Sequence, residues 1–258
     1  MIEFFYLFIF VVGLVVGSFL NCAIYRLEKG ENFLRGRSYC PNCRHQLSWQ
    51  DLVPFFSFIF LRGKCRYCKK PISFQYPLVE ISTAILFVFV AYFSFPNFLV
   101  TSYLLLTTSL LIVIFVFDLK HYIIPDGAVF AAIIITLIYN LQFSIFNGFS
   151  IFKFSILSAI GAALFFLLIF LISRGKWLGF GDVKLAFFMG FFLGFPEILA
   201  ALFLAFCIGA IMGVCLMVFG KKKFSSEIPF GPFLITGTFL ALLFGEKFIN
   251  WYLGFVTI

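Results

Sequence analysis

Long apolar stretches alternate with short polar segments along the whole chain, and this pattern predicts a bundle of membrane-spanning helices. A helix needs about 20 mostly apolar residues to cross the hydrocarbon core of a bilayer, because it rises 1.5 Å per residue. We therefore predict an all-α polytopic membrane protein with about eight transmembrane helices. The predicted spans are residues 2–24, 77–95, 98–117, 127–143, 154–173, 183–195, 197–219 and 232–250.

The apolar stretch at 183–219 is too long for a single span. As one helix of 37 residues it would be about 55 Å long, close to twice the thickness of a bilayer core. Phe195, Pro196 and Glu197 interrupt the stretch, and proline breaks a helix whereas glutamate prefers water. We therefore predict a turn at these three residues, with one span on each side.

The composition supports a membrane protein, and the positions of the charged residues predict how the chain is oriented in the membrane. Hydrophobic residues make up 63% of the chain and charged residues only 12%, against about 25% charged residues in soluble domains. The net charge of +8 does not indicate nucleic-acid binding, because the alternation of spans places every Lys and Arg except Lys153 and Lys247 on one side. The positive-inside rule makes that side cytoplasmic, so both termini are predicted to lie outside. Arg35 and the lysines 221–223 belong to the cytoplasmic set.

Two CxxC pairs mark the longest polar segment. Cys40 and Cys43 form CPNC, and Cys65 and Cys68 form CRYC after 21 intervening residues. This spacing is typical of a tetrahedral zinc site, and four thiolate ligands leave no open position for catalysis, so the predicted zinc is structural. Two disulfides are the alternative, which the reducing cytoplasm opposes.

These features divide the chain into three parts. We predict a first transmembrane span at 1–25, retained because no cleavage signature follows it, and a cytoplasmic four-cysteine zinc module at 26–76. A seven-span membrane domain at 77–258 follows and carries the remaining candidate chemistry. Glu80 enters this domain at its first span, where an acid is expected to be paired or to face the interior of the bundle.

Two aspartates at the ends of apolar spans are the candidate catalytic residues. Asp118 lies in FDLKHYIIPD and Asp182 in GFGD, on the same predicted face of the membrane. An acid at the C-terminal end of a helix opposes the helix dipole, so the position of Asp118 needs another reason. Asp182 has a simpler alternative role as a helix cap.

A shared function explains both aspartates. Gly179 and Gly181 permit a close backbone approach around Asp182. Two carboxylates that meet across a water can share one proton, so that one draws a proton from the water while the other polarises a scissile carbonyl. We therefore predict an aspartate dyad. Lys184 could bias which acid is charged, or could extend its amine to the interface.

The motifs of the chain, taken together, resemble those of the type IV prepilin peptidases, which are bifunctional leader peptidases and N-methyltransferases among the GxGD aspartic membrane proteases. The resemblance covers nearly the whole chain. Glu28 is a departure, because the family often has proline there. The matching segments are GSFLN (17–21), YR (25–26), the two cysteine pairs, YPLVE (76–80), FDLKHYIIPD (117–126), GFGDVKL (179–185) and IPFGPFL (228–234).

The resemblance implies a specific activity. Asp118 and Asp182 would be the catalytic acids, and the substrates would be prepilins or pseudopilins, each with a short basic leader and a hydrophobic stem. The enzyme would cut after a glycine at the cytoplasmic face of the bacterial inner membrane. It would then methylate the new N-terminus with S-adenosylmethionine, although the sequence shows no glycine-rich fingerprint for that cofactor and its binding residues stay unassigned.

Three alternatives remain open. The chain could be a peptidase without methyltransferase activity, a transporter with an intramembrane acid pair, or a zinc-stabilised membrane anchor of an assembly complex. The position of both aspartates at loop junctions, and the lack of matched halves with broken helices, favour the enzyme over the transporter. We expect the lipid bilayer and a prepilin as partners and no nucleic acid, and the sequence does not indicate an oligomeric state.

Overall fold

The computed structural model describes residues 2–32, 36–147, 149–219 and 228–256, so that Arg35 and the lysines 221–223 lie outside the described residues. Within these ranges the chain is helical and has no strand, which confirms the predicted all-α class. The helices are α1 (Ile2–Lys29), a 3-10 turn (Trp49–Asp51), α2 (Phe56–Phe60), α3 (Gln75–Ser94), α4 (Phe98–His121), α5 (Asp126–Asn147), α6 (Phe149–Ser173), α7 (Phe180–Leu193), α8 (Glu197–Val218) and α9 (Gly231–Val256).

Seven helices of the described residues are long and apolar enough to cross a membrane, namely α1, α3, α4, α5, α6, α8 and α9. The remaining predicted span, 183–195, corresponds to α7, which has only 14 residues. At 1.5 Å per residue α7 is about 21 Å long, which is shorter than the hydrocarbon core.

The predicted turn between the sixth and seventh spans is confirmed. Helix α7 ends at Leu193 and α8 begins at Glu197. Gly194 ends α7 with a φ of +76°, a backbone conformation that glycine adopts without steric cost, and its N–H donates to the Gly190 carbonyl. Pro196 then prevents α7 from continuing, and Glu197 is the first residue of α8.

The chain packs as two compact units, residues 1–113 and 114–258. This division reflects packing and does not address the functional division into 1–25, 26–76 and 77–258, which stays a prediction. In the first unit, α1 and α3 pack against each other along their length. Their backbones touch at Gly17, where a Cβ would lie only 2.7 Å from the Cα of Glu80. Asn21, nine-tenths buried, adds a hydrogen bond from its Nδ2 to the carbonyl of Tyr76 at 3.0 Å.

In the second unit, α7 lies at the centre and contacts α5, α6, α8 and α9. Its backbone meets α6 at Gly190, where a Cβ would lie 2.5 Å from the carbonyl oxygen of Ser158. The side chains of Leu185, Phe188 and Met189 are completely buried around this contact. The short helix is therefore held on several sides, which fixes the position of the acid in its first turn.

Candidate active site and metal centre

Asp118 lies in the last turn of α4 and is buried. Only 4% of the residue is exposed, and its Oδ2 has no hydrogen-bond partner among the residues that the structure describes. The backbone N–H of Gly231, the first residue of α9, acts on the same carboxyl group as a hydrogen-bond donor. A buried carboxylate oxygen without a partner costs free energy, so the described hydrogen bonds of the fold do not explain why it is buried.

Asp182 is the third residue of α7 and is 7% exposed. Its Oδ2 accepts the backbone N–H of Gly179 at 3.0 Å. The capping role that the sequence allowed is therefore present in part, since one oxygen satisfies a free N–H at the start of the helix. This hydrogen bond also fixes the carboxyl group in one orientation relative to the helix.

The structure brings the two aspartates into one site. Oδ2 of Asp118 lies against Gly231 at the start of α9, and Asp182 follows Gly181 in the first turn of α7. Ile124, in the loop between α4 and α5, packs between two glycines that flank the acids. A Cβ added at Gly181 would lie 2.9 Å from the Cβ of Ile124, and one added at Gly231 would lie 3.4 Å from its Cδ1. The end of α4, the loop after it and the starts of α7 and α9 thus meet around the acids.

Gly231 is a site residue to which the sequence analysis gave no role. A Cβ at this position would lie 2.5 Å from Oδ2 of Asp118, so no other residue fits without moving the acid. Gly231 belongs to the IPFGPFL segment, which the sequence indicated only as one of the segments that resemble the prepilin peptidases. Because the contact joins positions far apart in the chain, spacing and periodicity could not indicate it.

Lys184 pairs with Asp126 rather than with either candidate acid. Its Nζ lies 2.7 Å from Oδ1 of Asp126, at the start of α5, and 5.1 Å from the ring centre of Phe180. The side chain of Asp126 is 57% exposed, and such exposed pairs contribute little to stability. Lys184 therefore joins the starts of α5 and α7 beside the site.

The four cysteines of the two CxxC pairs form one cluster. Their sulfur atoms all lie within 4.8 Å of one another, and the Sγ atoms of Cys40 and Cys68 are 3.9 Å apart. A tetrahedral zinc site with Zn–S bonds of about 2.3 Å has sulfur atoms about 3.8 Å apart, so the donor set fits that metal. All four are free cysteines rather than disulfides.

The two cysteine pairs share one backbone design, which the sequence analysis did not detect as a repeat. In the first, Cys40 N–H donates to the carbonyl of His45 and Arg44 N–H donates back to Cys40. In the second, Cys65 and Lys69 make the equivalent bonds. Arg44 and Lys69 have positive φ angles of 57° and 58°. The two turns therefore have the same hydrogen-bond pattern and the same left-handed position.

One cysteine of the first turn already favours the thiolate that a metal needs. Burial raises the pKa of Cys40, but the backbone N–H groups of Cys43 and Asn42 and the neighbouring thiols outweigh burial and lower the pKa to about 7. In the same turn, the backbone of His45 lowers the pKa of Cys43, but burial and the thiols of Cys40 and Cys68 outweigh it and raise the pKa to about 11. Metal ions bind the thiolate rather than the thiol. The four sulfur atoms together form a donor set that could hold a metal ion.

Glu80 follows the expectation for an acid within a span. It is 6% exposed, and its Oε2 accepts the backbone N–H of Phe55 at 2.7 Å. Phe55 stands immediately before α2 with a positive φ of 61°. The loop backbone is thus bound to a carboxylate inside the first unit.

Two family models match this chain. The bacterial peptidase A24 N-terminal domain matches residues 11–94, and the type IV leader peptidase family matches residues 105–214. The first match covers most of α1, the cysteine module and α3, and the second covers both aspartates. No solved structure matches the chain.

Curated relatives match over nearly the whole length. A prepilin leader peptidase/N-methyltransferase from Aeromonas hydrophila is 32% identical over 95% of this chain and 92% of its own length. One from Legionella pneumophila is 33% identical over 98% of this chain and 96% of its own. One from Bacillus subtilis is 33% identical over 95% and 96%.

Proposed function

This chain belongs to the type IV leader peptidase family, and we propose that it cleaves prepilin leaders with Asp118 and Asp182 as its catalytic acids. The observation that carries the proposal is the geometry of the two acids. They are buried together, and one oxygen of Asp118 has no hydrogen-bond partner in the described part of the chain. A structural role does not require such an arrangement.

The proposed reaction is hydrolysis of one peptide bond by a water held between the acids. The ionised carboxylate takes a proton from the water as it attacks, and the protonated carboxyl group donates to the carbonyl oxygen. The proton taken from the water then passes to the departing amine, and the other carboxylate regains a proton from a hydroxyl group of the tetrahedral intermediate, so the dyad returns to its starting state. Gly181 and Gly231 lack side chains beside the acids, which lets Ile124 and the Asp118 carboxyl group approach the backbones of α7 and α9 closely.

The substrate is proposed to be a prepilin or pseudopilin, which agrees with the names of the curated relatives. Its hydrophobic stem would lie in the bilayer, and its leader would emerge on the side that carries Asp118 and Asp182. We place this side in the cytoplasm and both termini outside, because the basic residues cluster there. The basic surface repels a positive leader, so recognition should depend on packing of the stem.

Zinc is the metal that we propose for Cys40, Cys43, Cys65 and Cys68, with a structural role. The support is the sulfur spacing, which matches the edge of a zinc tetrahedron. Four thiolates would fill the coordination sphere, so the metal would hold the two turns together without taking part in the cleavage.

A second activity, N-methylation of the new N-terminus, is proposed from the names of the relatives. S-adenosylmethionine would supply the methyl group. The new ammonium group loses one proton to water, its nitrogen forms a bond to the methyl carbon, and the sulfur keeps the electron pair of the broken bond. Cleavage does not depend on this second step.

The test of the peptidase proposal is the conversion of each acid to its amide. We expect Asp118→Asn and Asp182→Asn each to lower prepilin cleavage by about 10³-fold or more, because general acid and base catalysis are both lost. Purified protein in detergent with one prepilin as substrate is sufficient, and mass spectrometry of the N-terminus measures the product. Asp126→Asn is the matched control and should cleave normally.

Normal cleavage by either amide variant would remove that residue from the proposed dyad. Cleavage by the purified protein without other components also separates an enzyme from a transporter or an assembly anchor.

A further inference from the structure

The short helix α2 carries an apolar face that the described residues leave exposed. Phe56, Ile59 and Phe60 have the spacing i, i+3 and i+4, so they lie on one side of the helix, and Phe60 is 82% exposed. Trp49 and Val53, just before α2, are also exposed and line one shallow groove with Phe56 and Phe60. These five residues form the apolar face of α2. A contiguous exposed face of this kind outside a membrane span indicates a binding surface.

The opposite side of α2 is fixed to the first unit. The ring of Phe58 packs against that of Phe74 with ring centres 5.4 Å apart. A Cβ added at Gly63 would lie 3.2 Å from Cζ of Phe58, so the turn after α2 also packs on this ring. The backbone N–H of Phe55 donates to Oε2 of Glu80 at 2.7 Å. These contacts hold the apolar face outward.

The hydrogen bond to Glu80 places α2 at the level of the membrane surface. The 20 residues of α3 extend about 30 Å, which is the thickness of the hydrocarbon core, so its first turns lie at the boundary of that core. Glu80 is in the second turn of α3, and helix side chains lean toward the N-terminus of their helix. The start of α2 therefore lies beside the first turns of α3, where lipid headgroups are found.

The residues that follow α2 are strongly basic. Among them only Arg66 makes an ion pair with a described residue, from its Nε to Oδ1 of Asp51 at 2.8 Å. Cations beside an apolar surface are attracted to anionic lipid headgroups. An apolar pilin stem would gain nothing from these charges, and a basic leader would be repelled. The exposed cations of this segment are Arg62, Lys64, Arg66, Lys69 and Lys70.

We propose that α2 lies in the headgroup layer of the membrane, with its apolar face toward the acyl chains and the basic residues on anionic phospholipids. With five residues α2 is too short to cross the bilayer, so it acts as an interfacial anchor. Helices α1 and α3 already hold both ends of the cysteine module at the membrane. The anchor fixes the orientation of the module on that surface. This inference is independent of the proposed peptidase and methyltransferase activities.

Trp49 is a reporter within the apolar face. The chain has three tryptophans, so Trp177→Phe combined with Trp251→Phe leaves Trp49 alone. The full chain is placed, one copy per disc, in nanodiscs of phosphatidylcholine and phosphatidylglycerol in equal parts, with bromine on the acyl chains near the headgroup or near the bilayer centre. We expect the bromines near the headgroup to quench Trp49 at least about twofold more strongly, because an interfacial helix reaches only about 5–10 Å into the bilayer.

Two sets of substitutions separate the apolar from the electrostatic contribution. Phe56→Gln combined with Phe60→Gln should lower the quenching of Trp49 at least about twofold in all discs, because the inserted apolar area is lost. Lys64→Gln combined with Lys70→Gln should lower it in anionic discs and leave it unchanged in pure phosphatidylcholine.

Gln50→Ser is the matched control, because it changes an exposed polar residue beside Trp49 without removing apolar surface, and it should leave the quenching unchanged. Circular dichroism tests the folding of each variant. Cross-linking of the unmodified protein to a phospholipid with a photoactivatable headgroup, followed by peptide mapping, needs no substitution and should label residues within 49–61.

Other occupants of the apolar face give different results. If lipid does not quench Trp49 and only an added prepilin shields it, the face binds the pilin stem and the proposal is wrong. If shielding requires two copies per disc, the face is an interface between copies, which also overturns the proposal. Water-exposed emission of Trp49 in every disc, with no label within 49–61, would mean that nothing covers the face.

Discussion

Glu80 and Asp118 are both carboxylates buried near the end of an apolar helix, one in each unit of the chain. The two carboxylates differ in their hydrogen bonds. Oε2 of Glu80 accepts a backbone N–H at 2.7 Å. Oδ2 of Asp118 has no hydrogen-bond partner within the described ranges. Burial costs both groups free energy, and one oxygen of Asp118 does not recover that cost through a hydrogen bond. A satisfied acid is suited to hold the backbone of a loop in place, and an acid with an unsatisfied oxygen is suited to react.

The largest effect should come from a side chain added beside the unsatisfied acid. A Cβ at Gly231 would lie 2.5 Å from Oδ2 of Asp118, so Gly231→Ala must displace the carboxyl group. We expect prepilin cleavage to fall by about 100-fold, since misplacement by about 1 Å has effects of this size.

Gly161→Ala is the control for this substitution, because a Cβ there would meet no atom within 4 Å. If Gly231→Ala cleaves at the normal rate, the acid tolerates displacement and the geometry of the site is less strict than proposed.

A smaller effect on cleavage is expected from the module beside the satisfied acid. Replacing Cys40 and Cys65 by serine removes two of the four sulfur ligands, so metal content measured by mass spectrometry should fall to background. Cleavage takes place in the second unit and should fall by a smaller factor than in Gly231→Ala.

Unchanged metal content in the serine variant, or no metal in protein prepared without chelators, would contradict the zinc proposal. A loss of cleavage as large as that of Gly231→Ala would reverse the comparison between the two units.

The smallest effect is expected at the ion pair beside the active site. Lys184→Met removes a pair with Asp126, whose side chain is 57% exposed. Such pairs contribute about 0–1 kcal/mol, so cleavage should change less than about fivefold. Asp126→Asn should have the same effect, and the double variant should add nothing. A loss in Lys184→Met far greater than in Asp126→Asn would mean that Lys184 acts on the dyad.

The sequence predicted those features that depend on neighbouring residues. Pro196 and Glu197 indicated the turn between α7 and α8, because proline breaks a helix at its own position and glutamate prefers to lie in water. The CxxC spacing indicated the four-cysteine cluster, since each pair is one turn of chain. The acids at the span ends indicated a shared site, because both had to lie at the same predicted face.

Long-range contacts were not predictable in this way. The approach of Gly231 to Asp118 and the position of Ile124 between two glycines depend on how α4, α7 and α9 pack. The length of α7 was predicted only approximately, since hydropathy continues across the turn that ends it. The close packing of α1 beside Glu80 depends on the contact of Gly17 with α3, which no periodicity encodes.

The shortness of α7 has a consequence for the depth of the acid in its first turn. Helices α5, α6, α8 and α9 contact α7 and each have 22 residues or more, so the bilayer meets these helices and not α7 itself. With about 21 Å of helix against about 30 Å of hydrocarbon, α7 need not reach both membrane surfaces. Its first turn can therefore lie below the surface between longer neighbours, where a pilin stem can present its cleavage point to Asp182 while most of its apolar length stays in lipid.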